Sequence, residues 1–131
     1  MIGLDTNVLV RYLTRDDPAQ YAKAASVIET ATDRGEQCVV NTAVLCELAW
    51  VLDTAYDYSR EEIAGALEQI LATAQFEVER LDEARQALAD FRATKAGFSD
   101  ALIGRINRTL GAEHTVTFDR GLKAVETFRL L

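Results

Sequence analysis

The sequence has little of several things, and each shortage excludes something. There is one proline, Pro18, and there is no low-complexity tract, so no linker or repeat array is expected. Cysteine occurs twice, at Cys38 and Cys46, with no short Cys pair. That excludes a disulfide scaffold or a zinc finger and suits two reduced thiols in a cytoplasmic protein. The one histidine, His114, stands in a loop-like stretch beside Glu113, so no Ser-His or Cys-His nucleophile is in view. No apolar run approaches the roughly 18 residues that span a bilayer. Met1-Ile2-Gly3-Leu4 runs into Asp5 with no basic stretch before it, unlike a secretory signal. Neither GxxxxGK[ST] nor GxGxxG occurs, so no phosphate-cradling loop is expected. A phosphotransfer site opening D-x-D-x-T is excluded as well, because position 7 is Asn7.

Positive charge is also short. Fourteen Lys and Arg face twenty-one Asp and Glu, a net charge of −7, which argues against a simple nucleic-acid-binding module. The deficit is uneven. Residues 101–131 hold five basic and three acidic side chains, a balance of +2, and the remaining residues carry −9. A phosphate-bearing partner would favour the C-terminal third, although a solvated helix face has the same composition.

What is present is ordinary globular material. The 131 residues are 49% apolar and 27% charged, enough for one domain, residues 1–131, with its own core. The pattern predicts alternating strands and helices. Ile2–Asp5 reads as a strand and Asn7–Leu13 as a short helix. Asp17-Pro18 opens a helix that Gly35 stops, with Asp as cap and Pro in the first turn. Gln37–Asn41 is a second strand, followed by a helix capped by Thr42. Ser59-Arg60-Glu61-Glu62 is a capping box for a helix ending near Thr73. Its apolar face, Ile63 to Leu71, suits either core packing or a dimer surface. Phe76–Glu79 is a third strand, Asp82 caps the next helix, and Phe98–Leu110 is a further helix closed by Gly111. Thr115–Phe118 and Thr127–Leu130 are the last strands, with a turn from Asp119 to Ala124 between them. Tyr12, Trp50 and Phe91 fall on helical patterns and read as core or interface. Strands linked through helices imply a parallel sheet with helices on both faces and a ligand beyond the strand ends.

Three acids stand apart. Asp5 is the only charged residue in Met1–Val10, Glu47 in Gln37–Leu52, and Asp100 in Ala96–Gly104. An acid alone in an apolar segment is expected to find a partner, bind a cation or take up a proton. Asp119 directly follows the fourth strand. Each of the four has a local reading as a cap or first-turn residue, but together they are expected to share one rim. Two carboxylates at about 4 Å with an effective dielectric near 20 repel by roughly 4 kcal/mol, which a multivalent cation relieves. All-oxygen ligands select Mg²⁺ or Mn²⁺, and such a site suits phosphodiester hydrolysis by a metal-activated water.

The segments that carry these acids also carry a resemblance. They are Ile2-Gly3-Leu4-Asp5-Thr6-Asn7-Val8-Leu9, Glu47 within Ala43–Val51, Phe98-Ser99-Asp100-Ala101-Leu102-Ile103, and Thr115-Val116-Thr117-Phe118-Asp119. In this order and spacing the chain resembles the PIN-domain family over its whole length, and within it the VapC-type toxin ribonucleases. The resemblance implies a Rossmann-like three-layer α/β/α fold with a central parallel sheet of four to five strands. It implies Mg²⁺- or Mn²⁺-dependent endoribonuclease activity on structured RNA such as tRNA or rRNA, leaving a 3′-hydroxyl and a 5′-phosphate. Asp5, Glu47, Asp100 and Asp119 correspond to the family's catalytic, metal-binding acids, and Thr6, Asn7 and Thr117 to positions that order them. Ala96-Gly97 stands where many relatives have one more acid, so no fifth ligand is implied. A homodimer and an inhibiting antitoxin of a type II toxin–antitoxin pair are implied partners, and no membrane. Arg120, Lys123 and Arg105 are the candidates for RNA phosphate. Two other readings stay open: a catalytically decayed interaction module on the same fold, and a nuclease not specific for RNA.

Overall fold

The computed structural model describes all residues from Met1 to Leu131. They form an α/β fold of two compact units, Met1–Glu79 and Arg80–Leu131. The first unit runs β1 (Ile2–Gly3), α1 (Thr6–Thr14), α2 (Pro18–Asp33), β2 (Cys38–Val40), α3 (Thr42–Thr54), α4 (Arg60–Ala72) and β3 (Phe76–Val78). Its sheet has the order β1-β2-β3, all parallel, with Ile2 opposite Cys38 and Cys38 opposite Phe76. Parallel pairing requires a crossover between strands, and here each crossover carries two helices. Leu9, Cys38, Val40, Leu45, Leu48, Leu52, Leu67 and Ile70 are wholly buried and make this unit's core.

Local chemistry sets most boundaries. The Asp17 side chain accepts from the amide of Gln20, and Pro18 occupies the first turn of α2. Ser59 and Glu62 form the reciprocal capping box of α4. The cap of α3 is Asn41, not Thr42: the Asn41 side chain accepts from the Val44 amide at 2.9 Å, so Thr42 is the first helical residue. The face from Ile63 to Leu71 is core. Ile63, Ala64, Leu67, Ile70 and Leu71 are all buried, which removes it as a dimer surface.

The second unit runs α5 (Leu81–Ala93), α6 (Phe98–Thr109), β4 (Thr115–Thr117), a 3₁₀ turn (Arg120–Leu122) and β5 (Phe128–Leu130). β4 and β5 pair in parallel, with Val116 opposite Arg129. Asp82 does not cap α5. The cap position is Arg80, in a left-handed conformation with no side-chain cap bond, and Asp82 lies in the first turn, where the helix dipole favours an acid. α5 and α6 are joined by a bidentate ion pair from Arg105 to Asp90, at 2.7 and 2.8 Å. Ala96, Leu122, Val125 and Phe128 form a hydrophobic cluster. Gly104 lets α6 approach β5: a Cβ there would collide with Thr127 Oγ1 and lie 2.7 Å from Phe128 Cε2.

Both cysteines are free, and Cys38 is buried. His114 lies exposed on the surface. No helix is long and apolar enough to cross a membrane. Phe91 is buried and Tyr12 stacks on Tyr21, but Trp50 is exposed on α3.

Candidate active site

Each unit contains two of the four singled-out acids. In the first, Asp5 follows β1 with extended backbone and is the N-cap of α1, and one of its oxygens accepts from the Thr6 amide at 2.7 Å. The cap reading and the site reading of Asp5 are therefore compatible, because capping uses one oxygen and leaves the other. Glu47 lies near the middle of α3 and points outward, while Leu45 and Leu48 point into the core. Asp5, Thr6, Asn7 and Glu47 line one cleft, with Arg11 and Tyr56 on the same wall.

Apolar neighbours in the chain do not bury Asp5 and Glu47, which are both exposed. The physical reason is helical and turn geometry. Apolar residues around Glu47 occupy the core face of α3 at three- and four-residue spacing, and Glu47 takes the opposite face.

In the second unit, Asp100 is in the first turn of α6 and half-buried. Asp119 ends β4 and heads the 3₁₀ turn, where its Oδ1 accepts from the Gly121 amide at 2.8 Å. The amide of Asp119 donates to Thr117 Oγ1 at 3.0 Å, so Thr117 holds the backbone that carries this carboxylate. Burial pushes the Asp100 carboxyl above its ordinary range, and the negative charge of Asp119 pushes it further. Neither carboxylate has a basic partner. Two acids sense each other here, and no basic side chain neutralises them.

The structure gathers no group of three or more His, Cys, Asp or Glu side chains placed to hold a metal ion. The donors are of one kind, however. All four are carboxylates, which fit a hard divalent ion and not zinc or copper.

The proposed phosphate contacts differ in availability. Arg105 is committed to Asp90, whereas Arg120 and Lys123 are exposed and hold no ion pair. Two side chains of the first cleft escaped the sequence reading. Arg11 and Tyr56 are joined through Asp16: Arg11 Nη1 donates to its carboxylate at 2.9 Å and the Tyr56 hydroxyl donates at 2.8 Å. The Arg11–Asp16 spacing is visible in the chain, but Tyr56 lies 40 residues from Asp16 and carries no local signal.

Comparison with known proteins matches the PIN domain family over residues 2–127. A VapC ribonuclease of Aquifex aeolicus (strain VF5) is 28% identical over 120 residues, covering 92% of this chain and 88% of that protein.

Proposed function

The chain belongs to the PIN domain family, and from that premise we propose that it is a Mg²⁺-dependent endoribonuclease, the toxin component of a type II toxin–antitoxin pair. The observation that carries the reading is the Asp100–Asp119 pair, an uncompensated acidic couple at the end of a strand and the start of a helix. The likeness to a VapC ribonuclease supports the toxin role and RNA as substrate. The match runs unbroken across both units, so we take residues 1–131 as one functional domain.

In this reading Asp5, Glu47, Asp100 and Asp119 are the acids that would bind the metal. The chemistry supplied there by bound Mg²⁺ or Mn²⁺ is activation of water and neutralisation of charge on the scissile phosphate. The protein's own part is positioning. The Thr6 amide fixes one oxygen of Asp5, so the carboxylate keeps one orientation. Thr117 holds the Asp119 backbone, and Gly121 holds its side chain. Asn7 lines the cleft with Asp5 and Glu47 and orders that half. Arg120 and Lys123 take backbone phosphates, with Arg105 secondary because Asp90 already occupies it. A cognate antitoxin, whose basic side chain would compete with metal for the acids, and a homodimer complete the proposed partners. Structured RNA, tRNA or rRNA, is the proposed substrate, and the cytoplasm the proposed compartment.

The test is incubation of purified, antitoxin-free protein with RNA and with DNA, in Mg²⁺ and in EDTA. Cleavage of RNA in Mg²⁺ alone is expected. Equal cleavage of DNA would make it a nuclease without RNA specificity, and no cleavage of either would make it an interaction module. Growth arrest on expression, relieved by a co-expressed neighbouring gene, checks the toxin role.

A further inference from the structure

Phe118 is the most exposed large hydrophobic side chain of the protein, at 83%. It is not on a loose loop. The residue before it, Thr117, pairs with Leu130, and its carbonyl accepts from the Leu131 amide at 2.8 Å. The residue after it, Asp119, is tied to Thr117 and Gly121, and the turn beyond is anchored by buried Leu122. Alternation along β4 turns Thr115 and Thr117 inward, where Thr115 accepts from Asn107, and turns Val116 outward, and Phe118, the first residue after the strand, is outward as well. A rigid backbone thus presents an aromatic ring to water immediately beside Asp119.

The charge around this ring is equally particular. Of the five basic side chains in residues 101–131, Arg105 is paired with Asp90 and Arg108 with Glu126. Arg120, Lys123 and Arg129 hold no acidic partner, and all three follow Phe118 closely in the chain, with Arg129 in register beside Val116. An occupant of this surface must bring a flat apolar face and negative charge, and must tolerate the Asp119 and Asp100 carboxylates. An acidic peptide and a nucleic-acid strand meet the same repulsion from these carboxylates, so the first two demands decide. A nucleic-acid strand meets both in every nucleotide, because each base offers a π-face and each phosphate pairs with a cation, whereas the acidic side chains of a peptide carry no flat face.

We propose that Phe118 is the nucleobase platform of this protein: an unpaired base next to the scissile phosphate stacks on its ring, and Arg120 and Lys123 hold the phosphates beside it. The inference rests on the nuclease reading above and adds a preference for unpaired substrate. Phe118 is a specificity residue here, since it touches the base and not the reacting atoms.

The test uses the full chain with Phe118→Tyr, Phe118→Leu and Phe118→Ala, and a short single-stranded oligoadenylate carrying one 2-aminopurine. In EDTA, where no cleavage occurs, wild type and Phe118→Tyr should quench the 2-aminopurine fluorescence. Phe118→Leu and Phe118→Ala should lose the quench and bind about tenfold more weakly, within what one base–aromatic stack supplies. Removing both Arg120 and Lys123 should lower the slope of log affinity against log salt by about two. If Phe118→Leu binds and quenches as wild type does, or if wild type does not bind the oligonucleotide, the platform is wrong. The same holds if Phe118→Ala changes only the sedimentation of the protein, which would mark a contact between proteins. In Mg²⁺, RNA cleavage by wild type with an unchanged KM in Phe118→Ala would overturn the platform alone. Quenching without any cleavage would overturn the nuclease reading and leave the platform standing.

Discussion

Asp16 in the first unit and Asp100 in the second are the same side chain in opposite circumstances. Asp16 accepts from Thr14 Oγ1, the Tyr56 hydroxyl and Arg11, and these donors hold its carboxyl down to about 2. Asp100 has no such donors. Burial raises it, Asp119 raises it further, and no cation stands beside it. An acid that the fold has supplied with donors is structural and asks for nothing more. One that the fold has desolvated and set against a second acid is incomplete until something positive arrives from outside. The contrast separates a carboxylate that the fold satisfies from the one proposed above as a metal ligand, by their surroundings alone.

The largest effect expected from this contrast is on activity. Asp100→Asn or Asp119→Asn should lower kcat/KM for metal-dependent RNA cleavage by at least about 100-fold. Asp16→Asn should keep it within a few-fold. Full activity in both site variants would erase the distinction drawn between the two acids.

Next comes the seat of Asp100. Gly104→Ala should cost about 1–3 kcal/mol in urea unfolding, because the new methyl meets buried Thr127, just before β5, and Phe128 at its start. An unchanged midpoint would mean that α6 is seated less closely than described. Asp90→Ala should cost roughly 1–2 kcal/mol, since it leaves the mostly buried Arg105 guanidinium without its bidentate partner.

The smallest effects are the opposed responses to pH, and they test the comparison most directly. The Asp16 carboxyl is depressed in the folded state. Its contribution to stability is present above its ordinary value near 3.8 and is lost as pH falls toward about 2. Asp100 is raised, so the metal-free folded state binds its proton more readily than the unfolded chain does. Its ionised form is a burden above the folded value, and the burden lifts as pH falls through that value. Acid titration of urea midpoints in EDTA should therefore lose a destabilising acid step in Asp16→Asn. Asp100→Asn should instead raise the midpoint slightly at neutral pH. Mg²⁺ should raise the midpoint of wild type and not that of Asp100→Asn. A lower midpoint for Asp100→Asn in EDTA would reveal a structural role for this acid.

Several features were legible residue by residue. The capping box at Ser59–Glu62, the Asp17-Pro18 start of α2 and the Gly111 stop after α6 are contacts among near neighbours, so the residue types announce them. Asn41 and Thr42 are both good caps, and only the Val44 amide selects between them. Arg80 could not be read as a cap position, because a left-handed arginine is set by its tertiary surroundings and not by propensity. The isolation of Asp5, Glu47 and Asp100 among apolar residues singled these acids out in the chain, yet Asp5 and Glu47 are exposed and only Asp100 is half-buried. Chain neighbours say which residues surround an acid in order, not which of them share its face.

The amino-acid order by itself determined the alternation of strands and helices, most helix starts, and the identity of the acids worth asking about. These depend on spacing and on hydrogen bonds that reach three or four residues. Only the tertiary structure decided which carboxylate receives Tyr56 from 40 residues away and which instead faces another carboxylate. It also placed Ile63 to Leu71 in the core and left Phe118 in water. Charge and burial act through space, over distances that separation along a chain does not report.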